Sequence, residues 1–115
     1  MLIAERSPLV RESLARMISC TPDLEVGGKV RDRTELIESV ESVRPDAVIL
    51  DADLAPGDPA SLVLHVKQAP CHPRVVVFSL LGRHLERSIK AGADAFLQKD
   101  CSPSELLEAV RGPGR

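Results

Sequence analysis

The apolar positions of this chain fall into five short runs separated by longer amphipathic stretches. The runs are Leu2–Ala4, Leu24–Val30 (interrupted by Gly27 and Gly28), Ala47–Leu50, Arg74–Phe78 and Ala95–Gln98. Each has the length of a strand, and the third and fourth are continuously apolar rather than alternating. A parallel strand shows that pattern when both faces of its sheet are covered. Between the runs the spacing turns helical. Leu9, Val10, Leu14, Met17 and Ile18 share one face of a first helix, with Arg11, Glu12 and Arg16 outside it.

The helix ends are marked as well. Ser7–Pro8 reads as an N-cap followed by proline at the first helical position, where its missing N–H costs nothing, and Asp58–Pro59 and Ser102–Pro103 repeat the device. Asp32 and Ser102 are each followed three residues later by a glutamate, Glu35 and Glu105, which is the capping-box spacing. Gly92 is placed to end the fourth helix in a left-handed turn. Strand and helix thus alternate five times. The order predicts an α/β fold of (βα)5 type, a doubly wound five-stranded parallel sheet with right-handed crossovers and helices on both faces.

In such sheets, ligand sites lie beyond the carboxyl ends of the strands, where the strand order reverses. Those ends carry Glu5 and Arg6, then Asp51, Ser79 and Lys99. Taken alone, an acid such as Asp51 at the end of an apolar strand closes a turn more often than it does chemistry. The other strand ends change that weighting.

Composition narrows the partners. At 115 residues the chain makes one domain, read as residues 1–111 with a tail or the start of a linker over 112–115. A net charge of −2 and only two aromatics, Phe78 and Phe96, speak against direct nucleic-acid binding by this chain. No apolar run approaches the ~20 residues that span a bilayer, so no membrane segment is expected. The start shows no basic leader or cleavage site. Three scattered cysteines, Cys20, Cys71 and Cys101, fit reduced thiols and a cytoplasmic setting. Cys71–His72, His65 and His84 lack the spacing of a zinc site.

Over nearly its whole length the chain resembles the receiver domains of two-component response regulators, the CheY-like branch of the flavodoxin-like folds. The pieces that carry the resemblance are "LIAERSPLVRESL", "RPDAVILDADLAPG", "PRVVVFSLL" and "AGADAFLQKDCSPSELLEAV". They are most similar to the subfamily with LuxR/NarL-type transcriptional outputs. The resemblance implies that Asp51 is the phosphoacceptor, receiving a phosphoryl group from a histidine kinase. It further implies that Ser79 is the switch hydroxyl, Lys99 the phosphate-binding cation, Phe96 the switch aromatic, and Asp53 a backbone ligand position. Glu5 and Asp51 would then be the pocket acids that face Mg2+. Control of transcription, a homodimer, and a DNA-binding output domain outside this chain are implied in the same way. Such a domain is not an enzyme.

Departures from the family pattern are concentrated around the pocket. Strand one normally ends in two acids, the second of which binds Mg2+ directly, and here that place is taken by Arg6. Mg2+ takes carboxylate and water oxygens in an octahedron. A guanidinium ~5 Å from a divalent ion repels it by roughly 6–7 kcal/mol at an effective dielectric of about 20, as an upper bound. Pairing of Arg6 with Asp51 or Asp53 is one expectation, and an ordinary surface arginine is the other. The interval from Ser79 to Lys99 is shorter than usual, and the proline after Asp51 comes one position late, at Pro56. The expected domain is therefore an atypical receiver with weak or absent phosphorylation, working through protein contacts. The alternatives are a conventional Mg-dependent phosphoacceptor at Asp51 and, remotely, a haloacid-dehalogenase-type phosphatase using Asp51 and Asp53. The last conflicts with forty-six residues preceding "AVILD" and with Ala55 in place of the usual Thr or Val.

Overall fold

Strands and helices alternate without exception in the computed structural model, which describes residues 1–80 and 82–112. The order is β1 (Leu2–Ala4), α1 (Pro8–Ser19), β2 (Gly28–Val30), α2 (Arg33–Val43), β3 (Ala47–Asp51), α3 (Ala60–Lys67), β4 (Arg74–Ser79), α4 (Leu85–Lys90), β5 (Ala95–Gln98) and α5 (Pro103–Arg111). The strands form one parallel sheet in the order β2-β1-β3-β4-β5. After β2 the chain returns past β1 to build the other half of the sheet. The switch point therefore lies between β1 and β3, and its carboxyl edge carries Glu5, Arg6 and Asp51. The proposed tail over 112–115 falls outside the described residues except for Gly112.

All five residues of β3 and the last five of β4 are buried, and pleating explains why both runs are continuously apolar. Successive side chains point to opposite faces. Val48, Leu50, Val75 and Val77 pack under Leu36 and Val40 of α2 and Leu62, Val63 and Val66 of α3. Ile49, Val76 and Phe78 pack under Leu14 and Ile18 of α1 and Leu106 and Val110 of α5. Both faces are hydrophobic interiors.

The helix signals hold at four places. Ser7 caps α1 with Pro8 as its first residue, and Asp32 accepts from the Glu35 N–H at the start of α2. Ser102 and Glu105 form a complete capping box on α5. Gly92 follows α4 with φ +110°.

Three expectations need correction. Only Gly28–Val30 of the second run is strand, because β1 offers just three partners and Thr21–Leu24 closes a turn instead. Leu24 and Val26 pack against the α1/α5 layer from loop positions. Leu9 is 78% exposed, since it sits on the first turn of α1 beyond the reach of α5, and Ala15 fills the face instead. At Asp58–Pro59 the helix begins one residue later than the proline rule implies: Pro59 is the cap, and Asp58 Oδ1 accepts the Ala60 N–H at 2.9 Å. His84 precedes α4 as its N-cap in a left-handed conformation, φ +69°.

Candidate functional site

The carboxyl ends of β1, β3, β4 and β5 bring Glu5, Asp51, Ser79 and Lys99 together at one edge of the sheet. Asp51 is the last residue of β3 and is 1% exposed. Its two oxygens are filled from three directions. Oδ2 accepts the backbone N–H of Arg6 at 3.1 Å, Oδ1 accepts that of Asp53 at 2.9 Å, and Lys99 Nζ lies 3.2 Å from Oδ1.

Glu5 is equally buried. Its Oε2 accepts the Ser7 N–H at 3.0 Å and a bond from Lys99 Nζ at 3.1 Å, while Oε1 has no partner among the described residues. Lys99 is thus a cation shared by two carboxylates, and it also lies 5.9 Å from the centre of the Phe78 ring. The backbone fixes where it points. Its N–H donates to the Ser79 carbonyl at 2.7 Å, locking the end of β5 to that of β4.

The two acids respond to this arrangement in opposite directions. Burial opposes ionisation of Asp51, but the Asp53 and Arg6 N–H groups and the Lys99 ammonium outweigh it and hold the carboxyl below its ordinary range. Burial pushes Glu5 up, and together with the neighbouring Asp51 it outweighs the relief from Ser7 and Lys99. Burial also works against the Lys99 charge, and the two carboxylates more than compensate, holding its pKa above normal.

Ser79 ends β4 at 3% exposure, and its Oγ accepts the Gly82 N–H at 3.2 Å, leaving its own hydroxyl proton to donate. Asp53 contributes a backbone N–H to the site while its side chain is exposed. Phe96 is half-buried on β5 against the α2/α3 layer, one layer away from Lys99. Arg6 is exposed, and among the described residues its guanidinium enters no ion pair with Asp51 or Asp53. The pairing expectation for Arg6 is therefore not met: it holds Asp51 through its main chain alone.

Several contributors have no sequence signature. Backbone donors at Arg6, Ser7, Asp53 and Gly82 hold the pocket, and a main-chain N–H is the same for every residue but proline. Arg11, expected on the outer face of α1, turns its guanidinium onto the β1–α1 loop. There it donates to the Glu5 carbonyl at 2.8 Å and more weakly to that of Arg6 at 3.5 Å. This brace fixes the loop whose N–H groups reach Asp51 and Glu5.

The pattern that defines the response regulator receiver domain matches residues 1–111, and the chain belongs to that family. The nitrate/nitrite response regulator protein NarL of Escherichia coli K12 is 30% identical over 111 residues, covering 95% of this chain and 51% of NarL. The chain spans about half the length of the curated relatives it matches. A LuxR-family two-component response regulator from Aurantimonas sp. SI85-9A1 superposes with a TM-score of 0.86 at 24% identity, over 96% of this chain and 80% of that one. The signal receiver domain of the NarL of Mycobacterium tuberculosis gives 0.84 at 24% identity, over 97% and 95%. The fold is the CheY-like one. Receiver domains are signalling modules and in general not enzymes, so the phosphatase alternative is set aside; Asp53, which would serve as its acid/base, has its side chain in solvent.

Receiver domains in general bind Mg2+ at the phosphorylation site. The side chains here do not make a cage for it. Two carboxylates are present, both bound by Lys99, and the one buried acceptor left over is Glu5 Oε1. Among the described residues no three His, Cys, Asp or Glu side chains gather closely enough to hold a metal ion. Mg2+ is commonly held through one or two carboxylates with waters completing its octahedron, so what counts against it here is that both acids are engaged by Lys99.

Proposed function

We propose that this domain is an atypical receiver, in which phosphorylation of Asp51 is weak or absent and signalling runs through protein–protein contacts, including the pairing of two copies. The observation that carries the reading is the state of the pocket. Asp51 is already neutralised by Lys99 and two N–H groups, while the place of the direct metal ligand holds an arginine whose side chain is exposed. Phosphoryl transfer to a carboxylate is mostly positioning and charge neutralisation. Here the internal cation supplies neutralisation to the resting carboxylate, and a third acid to recruit a divalent ion is missing.

Within this reading Asp51 is the inherited nucleophile and Ser79 the hydroxyl that a phosphoryl oxygen would meet. Lys99 is the retained cation, Phe96 the switch aromatic, and Asp53 the position whose backbone faces the pocket. The relatives support the setting: a cytoplasmic regulator of transcription, with a histidine kinase as the ancestral partner and a DNA-binding output domain outside this chain. One LuxR-family relative, from Staphylococcus aureus, is a DNA-binding response regulator.

Intact-mass measurement after incubation with acetyl phosphate, with and without Mg2+, tests the proposal. The expected result is no gain of the roughly 80 Da that a phosphoryl group adds. A Mg-dependent gain located on Asp51 would favour the conventional phosphoacceptor reading in its place.

A further inference from the structure

At the opposite end of the sheet from Asp51, the last turn of α5 is tied to the body of the domain by a chain of contacts centred on Arg74. The Arg74 Nε donates to the Ala109 carbonyl at 2.6 Å, one of the last-turn acceptors that helix hydrogen bonding leaves free. Gly112, the first residue past the helix, has φ +80° and lies against the same guanidinium. A Cβ there would come within 3.1 Å of Arg74 Nε and Cζ, a close approach that would push the guanidinium back, and the positive φ itself favours glycine. Arg111 adds a bidentate pair to Asp23 of the α1–β2 loop, at 2.8 and 2.9 Å.

Arg74 is itself held. Its N–H donates to the Asp46 carbonyl at 2.9 Å at the base of β3, and its guanidinium lies 3.9 Å from Asp94 Oδ1. Asp94 is gripped in turn by Lys67 Nζ at 2.7 Å and by the Val75 N–H at 2.8 Å, both on Oδ2. Lys67 also donates to the Pro73 carbonyl at 3.1 Å, and its aliphatic stem lies under Gly92, whose φ is +110°. Two cations thus flank one aspartate, and each lies against a glycine in the left-handed region. One glycine follows α4 and the other follows α5.

We propose that Arg74 is a clamp that fixes where the chain leaves the domain, with Asp94 and Lys67 holding the clamp in register with the α4–β5 turn. This inference does not depend on whether Asp51 is phosphorylated.

Amide hydrogen exchange on the 115-residue chain tests it. In the parent protein, the Gly112 N–H, bonded to the Glu108 carbonyl at 3.0 Å, should exchange at least about a hundredfold slower than a free peptide amide, as terminal fraying would not allow. In Arg74→Gln the amides of Val110, Arg111 and Gly112 should exchange about tenfold faster, with those of Leu36 and Val40 in α2 unchanged. Fraying-like exchange at Gly112 in the parent would overturn the proposal. So would parent-like exchange of the three amides in Arg74→Gln. Should that variant loosen the whole domain, the parent measurement decides by itself.

Discussion

Arg6 holds Asp51 by its backbone and not by its charge. The Arg6 N–H meets Asp51 Oδ2 at 3.1 Å, whereas the guanidinium stands in solvent. This relationship separates two explanations for the weak metal binding proposed for the pocket. A blocking cation would act through its charge, which solvent screens here. A missing ligand acts through the absence of a carboxylate, and it is the explanation the geometry favours.

Substitution at Arg6 distinguishes them. Arg6→Asp, which supplies the acid, is expected to gain Mg-dependent labelling of Asp51 by acetyl phosphate or beryllofluoride. Arg6→Ala, which only removes the charge, is expected to stay near the parent. Equal gains in both, by intact mass, would identify the guanidinium as the obstacle.

Lys99 is the only side-chain cation that the described contacts place on the two buried acids. Lys99→Met should therefore cost about 3–5 kcal/mol in urea unfolding, the usual consequence of stranding a buried charge. Adding Asp51→Asn should recover part of that loss. A single-variant cost below about 1 kcal/mol would place the contact with ordinary surface pairs.

Glu5 gives a pH signature. Its folded pKa is raised, so its contribution to stability is complete below the unfolded value of about 4.3 and is lost as pH rises through the folded one. Glu5→Gln mimics the protonated form and does not titrate. The stability of the parent relative to Glu5→Gln should consequently increase as pH falls from 7 into the acid range, then level off. Asp94, held below the ordinary range, acts with the opposite sign in both proteins and cancels in the comparison, whereas Asp51 titrates together with Glu5, so the difference reports the pair. A difference that stays flat with pH would show that Glu5 is not perturbed.

Ser102→Ala should destabilise the domain by about 0.5–2 kcal/mol, because it removes the acceptor for the Glu105 N–H at the start of α5. The thermal midpoint reports it. Ser104→Ala, one turn residue along, is the control and should change little.

Much of the architecture was legible before folding was considered. Continuous apolar runs at Ala47–Leu50 and Arg74–Phe78 can be buried only in a sheet covered on both faces, and proline and glycine marked the helix ends between them. From that order the carboxyl edge followed, and with it the meeting of Glu5, Asp51, Ser79 and Lys99. What the sequence determined, then, was which side chains had to be buried and which strand ends had to meet.

Tertiary structure decided the rest. Leu9 looked like a core residue because helical spacing says which face it shares, not whether a neighbour reaches that turn. The second strand shrank to Gly28–Val30 because its length depends on its partner β1 and not on its own apolar run. In the pocket, the groups that hold Asp51 and Glu5 are largely main-chain N–H donors, which every residue but proline carries and no motif records. Arg6 was conspicuous for its charge, yet the folded loop uses its amide. Side-chain chemistry is written along the chain, but the direction each side chain takes is set only when distant segments pack against it.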